Sequence, residues 1–233
     1  MGDSINVYIQ PNPPREKRGF VFGDYDTAAH GWTLASWEFE EPELQKIFVD
    51  VPGRPDGPLD MSDALTNGDP YYNSRGLTAT FECSDGTRDD RNVLIYEMVN
   101  ALHGRRLDII LPDDKTRYIT GRLAVKTEYS DMAHASVTVS ATCAPWRYNI
   151  YETRIERELS STAREIVLTN NGRKTLVPEV TITDTATLVY GVTTWKLSAG
   201  TYKLSGLKLH TGSTVVTYSG SGTVSFAFRE AIL

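Results

Sequence analysis

This 233-residue sequence has few cysteines, no long apolar run and no excess of basic residues. Cys83 and Cys143 are the only cysteines, and neither has a second cysteine or a histidine at metal-ligand spacing, so we expect buried free thiols. No apolar run approaches the roughly 20 residues that span a bilayer, and the first residues lack the basic and apolar regions of a signal peptide. A net charge of −6 argues against non-specific binding of nucleic acid through a basic face.

Sequence motifs of enzymatic chemistry are also missing. There is no nucleophile elbow, no zinc-protease helix motif, no phosphate-binding loop and no glycine-rich dinucleotide motif. The acid pairs Asp89-Asp90 and Asp113-Asp114 fit a helix cap and a turn. The histidines are scattered over distant segments, at His30, His103, His134 and His210. We therefore predict no catalytic site, no metal site and no cofactor.

The charge is unevenly distributed and indicates two modules. Residues 1–150 carry a net charge of −8, whereas residues 151–233 carry +2. We predict an N-terminal domain over 1–149 and a C-terminal domain over 150–233. The charged stretch 149–165 is interpreted as the crossing between them.

The first module is predicted to be mainly β, with a β-sandwich or barrel-like architecture. Alternation of Ile5, Val7 and Ile9 indicates an early strand, and strict alternation follows in RGLTATFEC (75–83). The segment 51–76 is crowded with proline, glycine, aspartate and asparagine, and a loop of this length usually has a function.

One helix is predicted near 90–103. Asp89 or Asp90 is expected to cap it, and Gly104 to end it. Its apolar stripe, which indicates packing on a sheet, consists of Val93, Leu94, Tyr96, Met98, Val99 and Leu102. Immediately afterwards, the segment 105–122 is expected to form a two-stranded projection.

The second module is predicted to be an antiparallel β-sandwich. From Glu165 onward, short strand-like segments alternate with turns rich in glycine and asparagine. Val224, Phe226 and Phe228 give the last of these segments one apolar face. Trp195 has two readings, as a core residue that alternates with Leu197 or as a platform for stacking a sugar.

An ordered series of stretches resembles the distal tail protein (Dit) family of long, non-contractile-tailed bacteriophages, the siphophages. In the first module the matching stretches are HGWTLASWEFEEPE (30–43), VDVPGRPDGPLDMSD (49–63), PYYNSRGLTATFEC (70–83), NALHGRRLDIILPDDKTRYITGR (100–122) and SVTVSATCAPWRY (136–148). In the second module, NNGR (170–173), VPEVTI (177–182) and FREAIL (228–233) resemble the galectin-like C-terminal domain of that family.

The resemblance implies a structural virion protein without enzymatic activity. Members of the family form a homo-hexameric ring at the tail tip, assembled in the host cytoplasm. The ring joins the tail tube protein to the tail-tip or tail-associated protein, and DNA passes through its lumen without specific binding. The galectin-like domain is implied to carry receptor-binding or side-fibre proteins. The alternative function is a carbohydrate-binding, lectin-like module that contacts a glycan on the host surface.

We expect ring contacts in the N-terminal half, in the 51–76 connection and the 105–122 hairpin. Arginine suits interfaces because its planar fork makes paired bonds to carboxylates. The alternative reading is that the hairpin arginines are solvated surface charges. The candidate assembly residues are Pro52, Gly53, Arg54, Gly57, Tyr72, Arg75, Arg105, Arg106, Arg117 and Arg122.

Overall fold

The structure, a computed structural model, describes residues 19–53, 55, 57–62, 70–128 and 134–233. The predicted strand at Ile5, Val7 and Ile9 lies outside these residues. The predicted fold class is confirmed, since the described residues form antiparallel sheets and a single helix. Within the same residues, no helix is long and apolar enough to cross a membrane.

The described strands before residue 150 are β1 (Val21–Phe22), β2 (Tyr25–Asp26), β3 (Thr33–Phe39), β4 (Phe48–Val49), β5 (Leu59–Asp60), β6 (Arg75–Cys83), β7 (Arg106–Leu111), β8 (Asp114–Glu128), β9 (Ala135–Cys143) and β10 (Arg147–Asn149). Those after it are β11 (Thr153–Glu158), β12 (Arg164–Asn170), β13 (Glu179–Ile182), β14 (Thr185–Tyr190), β15 (Thr193–Leu197), β16 (Gly200–Lys203), β17 (Gly212–Ser221), β18 (Thr223–Phe228) and β19 (Ala231–Ile232).

The first module is built on one large sheet in the order β2-β1-β7-β8-β9-β6-β3. Alternation of small polar and apolar residues lets β6 and β9 bury one face, where Phe81 lies beside Phe20 and Phe22. β7 and β8 pair with each other, but β7 also pairs with β1 and β8 with β9. The segment 105–122 therefore lies inside the sheet, and the expected projection was wrong.

The helix α1 spans Arg88–Leu102, close to its predicted position, but its cap differs from the prediction. Thr87 is the N-cap and accepts a hydrogen bond from the Asp90 amide, while the Asp90 carboxylate accepts one from the Thr87 amide. Asp89 and Asp90 therefore lie inside the first turn, where acids favour the positive end of the helix. Hydrogen bonds from Thr87 lower the pKa of Asp90. The bond from the Thr87 hydroxyl has the larger effect and the bond from the Thr87 amide the smaller.

The buried face of α1 is narrower than the predicted stripe. Ile95, Met98 and Leu102 are buried against the sheet, whereas Val93 and Tyr96 are exposed. The helix follows its 3.6-residue period, so residues on the outer face stay in water even when they are apolar.

The second module is a sandwich of two four-stranded antiparallel sheets. Their orders are β11-β18-β13-β16 and β12-β17-β14-β15. Phe226 and Val224 of one sheet and Leu168 and Leu188 of the other belong to a shared core of fully buried side chains. The charged stretch 149–165, interpreted as the crossing between modules, contains β11, which pairs along its whole length with β18.

Candidate assembly and binding surfaces

An exposed two-stranded segment, residues 43–62, leaves the first sheet after β3; we call it the arm. β4 pairs with β5 through Phe48–Asp60 and Val49–Leu59, and the Ile47 amide donates to the Ser62 hydroxyl at 2.9 Å. Strands this short have little core of their own. The exposed apolar side chains of the arm include Phe48 at 58%, Val49 at 46% and Val51 at 45%.

The arm contains four of the predicted assembly residues. Pro52 and Gly53 follow β4, and Gly57 precedes β5. Gly53 and Gly57 have φ angles of +85° and +80°, a left-handed conformation that glycine adopts without strain. Both glycines therefore have a turn role in this chain, apart from any contact with a neighbour. Arg54 lies outside the described residues.

The four hairpin arginines do not form one patch. Arg105 donates to the Ala101 carbonyl at 3.1 Å and Arg122 to the Gly104 carbonyl at 2.9 Å, so both bind the end of α1. Arg117 forms an ion pair with Asp114 at 3.0 Å. Burial raises the pKa of Asp114, but hydrogen bonds from Thr116 and Arg117 outweigh it and leave that pKa below its usual value. Arg106 is exposed on β7.

Arg75, another predicted assembly residue, is buried. Its side chain is 1% exposed, and its guanidinium lies 4.1 Å from the ring centroid of Phe39. The Nε and Nη2 atoms have no hydrogen-bond partner, and the nearest ion pair is with exposed Glu41 at 3.9 Å. Burial and the charge of Arg147 lower the pKa of Arg75 to about 10. Another copy could reach this guanidinium only after local rearrangement.

A junction ties the sandwich to the first sheet. β10 pairs with β8 on one side and with β19 on the other. Arg147 donates from Nε and Nη2 to the Leu233 carbonyl at 3.2 and 2.7 Å, and Arg229 donates to the Ile150 carbonyl. The Glu230 carboxylate accepts hydrogen bonds from Asn149 and Asn171, on opposite sides of the junction.

A cleft of about 320 Å³ opens at this junction and is lined by Pro70, Trp146, Arg173, Lys174 and Thr175. The ring of Tyr72 meets that of Trp146 edge-on at 5.5 Å. Lys174 Nζ donates to the Tyr148 hydroxyl and lies 5.8 Å from the Trp146 ring centroid. The Arg173 guanidinium lies 5.8 Å from the ring of Tyr72. Each of these two cations therefore lies beside an aromatic ring.

The other candidate groups have structural surroundings. Trp195 is half-buried against the core of the sandwich, which favours the core reading over the sugar platform. His103 Nδ1 accepts from the Val125 amide at 3.1 Å and so connects the end of α1 to β8. Cys83 and Cys143 are buried free thiols, as predicted. In the part of the chain that the structure describes, no cluster of three metal-ligating side chains occurs.

These sheets, the helix and the sandwich define a mainly β protein of two modules, and this fold is found in a phage tail protein. The chain is similar to the crystal structure of the SPP1 Dit protein, described as a paradigm of the hub adsorption apparatus in phages that infect Gram-positive bacteria. The TM-score is 0.65 at 15% identity, and the match covers 92% of this chain and 99% of that chain. No protein-family profile and no curated protein sequence matches the chain.

The cleft is not predictable from the sequence. Trp146 and Arg173 lie within the CAPWRY and NNGR stretches that carry the resemblance, but nothing in the sequence indicates that the two stretches meet. They meet because β19 returns to β10 and brings the Arg173 amide within 2.8 Å of the Ala231 carbonyl.

Proposed function

We propose that this chain is a distal tail hub protein of a long-tailed, non-contractile bacteriophage. The observation that carries the proposal is the likeness to SPP1 Dit, which extends over 92% of this chain. A match of that extent includes both the large sheet and the sandwich. In this role the protein is structural and has no enzymatic activity. It assembles in the host cytoplasm and resides at the virion tail tip.

In the proposed assembly, copies of the chain form a homo-hexameric ring through the N-terminal domain (1–149). Each copy meets the next through unlike surfaces, as in any closed ring built from one heterologous contact. The exposed apolar residues of the arm support this assembly, because covering them removes apolar surface from water. Pro52, Gly53 and Gly57 lie beside this surface, and we propose that Arg54, next to Gly53 in the sequence, also contributes to the contact.

The proposed ring joins the tail tube protein above to the tail-tip protein below, and DNA passes through its lumen. The net charge of −8 over residues 1–150 supports a lumen that repels DNA and lets it pass without binding. The C-terminal domain (150–233), which we propose is galectin-like, lies outside the ring and carries receptor-binding or side-fibre proteins.

The test removes the apolar surface of the arm. Size-exclusion chromatography with light scattering should detect a high-mass species for the unmodified chain, in an amount that rises with concentration. Phe48→Ser combined with Val49→Ser should abolish it while the circular dichroism spectrum is retained. The matched control is Val167→Ser with Val215→Ser, which removes two exposed apolar side chains, 54% and 49% exposed, from the sandwich.

Comparison of the two double variants distinguishes a specific ring contact of the arm from a general effect of removing exposed apolar side chains. If the arm variant assembles as the unmodified chain does, the arm is not the ring contact. A chain that stays monomeric at every concentration, alone and when mixed with tail tube protein, contradicts the ring itself.

A further inference from the structure

The side chains of the described residues that line the cleft at the junction offer mainly hydrogen-bond donors and apolar surface. Its polar lining groups are the Arg173 guanidinium, the Lys174 ammonium, the Trp146 indole N–H and the Thr175 hydroxyl. The Thr175 hydroxyl is engaged with His210 Nδ1 at 3.2 Å. No carboxylate or carboxamide side chain is among the described lining residues. A neutral sugar presents both donors and acceptors and needs both in its site, whereas an anion needs donors alone.

The charged side chains among the described lining residues are two cations, Arg173 and Lys174. Within the described residues, neither Arg173 nor Lys174 forms an ion pair. Two carboxylates at the junction are already engaged. Glu230 accepts hydrogen bonds from Asn149 and Asn171, and Asp114 pairs with Arg117 at 3.0 Å and with Arg147 at 4.0 Å.

The apolar part of the lining limits the kind of anion. Pro70 and the ring of Trp146 provide surface for an apolar stem, and Lys174 lies beside the Trp146 ring. Tyr72 packs edge-on against that ring from outside the described lining. A volume of about 320 Å³ is at the small end for binding sites and suits one or two side chains. A glutamate side chain matches this lining, because its methylene stem packs against apolar surface and its planar carboxylate accepts two parallel hydrogen bonds from arginine.

We propose that this cleft binds an acidic peptide segment of another protein, with a carboxylate placed between Arg173 and Lys174 and its stem against Trp146. The site is complete within one copy of the chain. Its occupancy is therefore independent of the proposed ring, and binding can be measured on a monomer.

The experiment uses the full chain and a fluorescein-labelled pentapeptide of three glutamates flanked by leucines. Fluorescence anisotropy at low salt should show saturable binding, and nuclear magnetic resonance should show a shift of the Trp146 indole N–H signal. Arg173→Gln combined with Lys174→Gln should weaken binding by about tenfold or more. Each substitution removes a charge-assisted hydrogen bond, and such bonds are stronger than those between neutral groups. Arg164→Gln with Lys196→Gln removes the same charge from exposed positions elsewhere on the sandwich and should leave binding unchanged.

Several results would overturn the proposal. Equal binding by a peptide with glutamine in place of each glutamate would show that the carboxylate is not recognised. Equal binding by inorganic phosphate or by glucuronic acid would replace the peptide with a free anion or an acidic sugar. Absence of binding at millimolar peptide, or unchanged binding by a folded Arg173→Gln and Lys174→Gln variant, would remove the site altogether.

Discussion

At the scale of single residues, Arg75 is an arginine whose side chain is buried at the start of β6. Arginine in a segment rich in turn residues is typical of a contact surface. However, β6 begins at this residue and places it opposite Cys143 at the end of β9, so its side chain faces inward against Phe39. Its place in the alternation of β6, on the same buried face as Leu77 and Phe81, decides its exposure, and the pattern RGLTATFEC already contains that alternation. A buried guanidinium with unpaired donors adds little to stability by itself.

Cys143 leads to a prediction about alkaline pH. Burial raises the pKa of the Cys143 thiol from 9.0 to about 11. The unfolded chain therefore loses this proton first, and the contribution of the Cys143 thiol to the free energy of unfolding should fall as the pH rises from 9 towards 11. Over that window the loss reaches roughly 2–3 kcal/mol, at 1.36 kcal/mol for each pKa unit. Urea denaturation at several pH values measures it.

The control for this prediction is Cys143→Ala, which keeps every other titrating group, Cys83 included. Its unfolding free energy should depend less on pH between 9 and 11 than that of the unmodified chain. Tyr25, whose pKa burial raises to about 12, contributes equally to both proteins. Parallel pH curves for the two proteins would show that the Cys143 thiol titrates normally.

At the scale of elements, the helix and the strands differed in how well the sequence predicted them. Helix period, capping residues and Gly104 are local signals, so α1 was predicted within two residues. β11 was missed because its sequence, TRIERE, is highly charged, and only its pairing with β18 makes it a strand. The hairpin 105–122 was predicted as paired strands, but β1, its neighbour on the β7 side, is distant in sequence. Local patterns therefore identified elements, while long-range pairing decided their surroundings.

The capping box of α1 carries a prediction about stability. Thr87→Ala removes the hydroxyl that accepts from the Asp90 amide, and we expect a loss of about 1 kcal/mol in the free energy of unfolding. Thr87→Ser keeps that hydroxyl and should retain most of the stability. Chemical denaturation of the three proteins makes the comparison. Equal losses for alanine and serine would assign the effect to the Thr87 methyl group.

At the scale of the whole molecule, the junction connects the sandwich to the large sheet through the pairing of β10 with β8 and β19. Gly172 is buried there, and a Cβ atom at this position would lie 2.5 Å from the Ala231 carbonyl oxygen and 2.7 Å from its nitrogen. Both are backbone atoms, which cannot move aside as a side chain can. The sequence pattern NNGR marked this position, but its reason is the close approach of a strand about sixty residues later.

Gly172→Ala should therefore displace β19 from β10. We expect faster hydrogen exchange in the peptide that contains residues 229–233 and a loss of about 1–3 kcal/mol in stability, the usual cost of overpacking. Gly206→Ala is the matched control, because its Cβ would lie 3.0 Å from the Trp195 ring, which can shift. Similar exchange rates in the two variants would mean that the junction tolerates the extra methyl group.

From the pairing of β10 with β19 we expect a particular order of events during folding. Arg147 and Leu233 are 86 residues apart in sequence, and closing so long a chain segment is entropically unfavourable and slow. Thr153 and Phe228, however, are paired in the sandwich, just inside these two strands. A sandwich that folds first brings β10 and β19 together and acts as the turn of one very large hairpin. The first sheet can then gain its final strand quickly, after the rest of the chain has been synthesised.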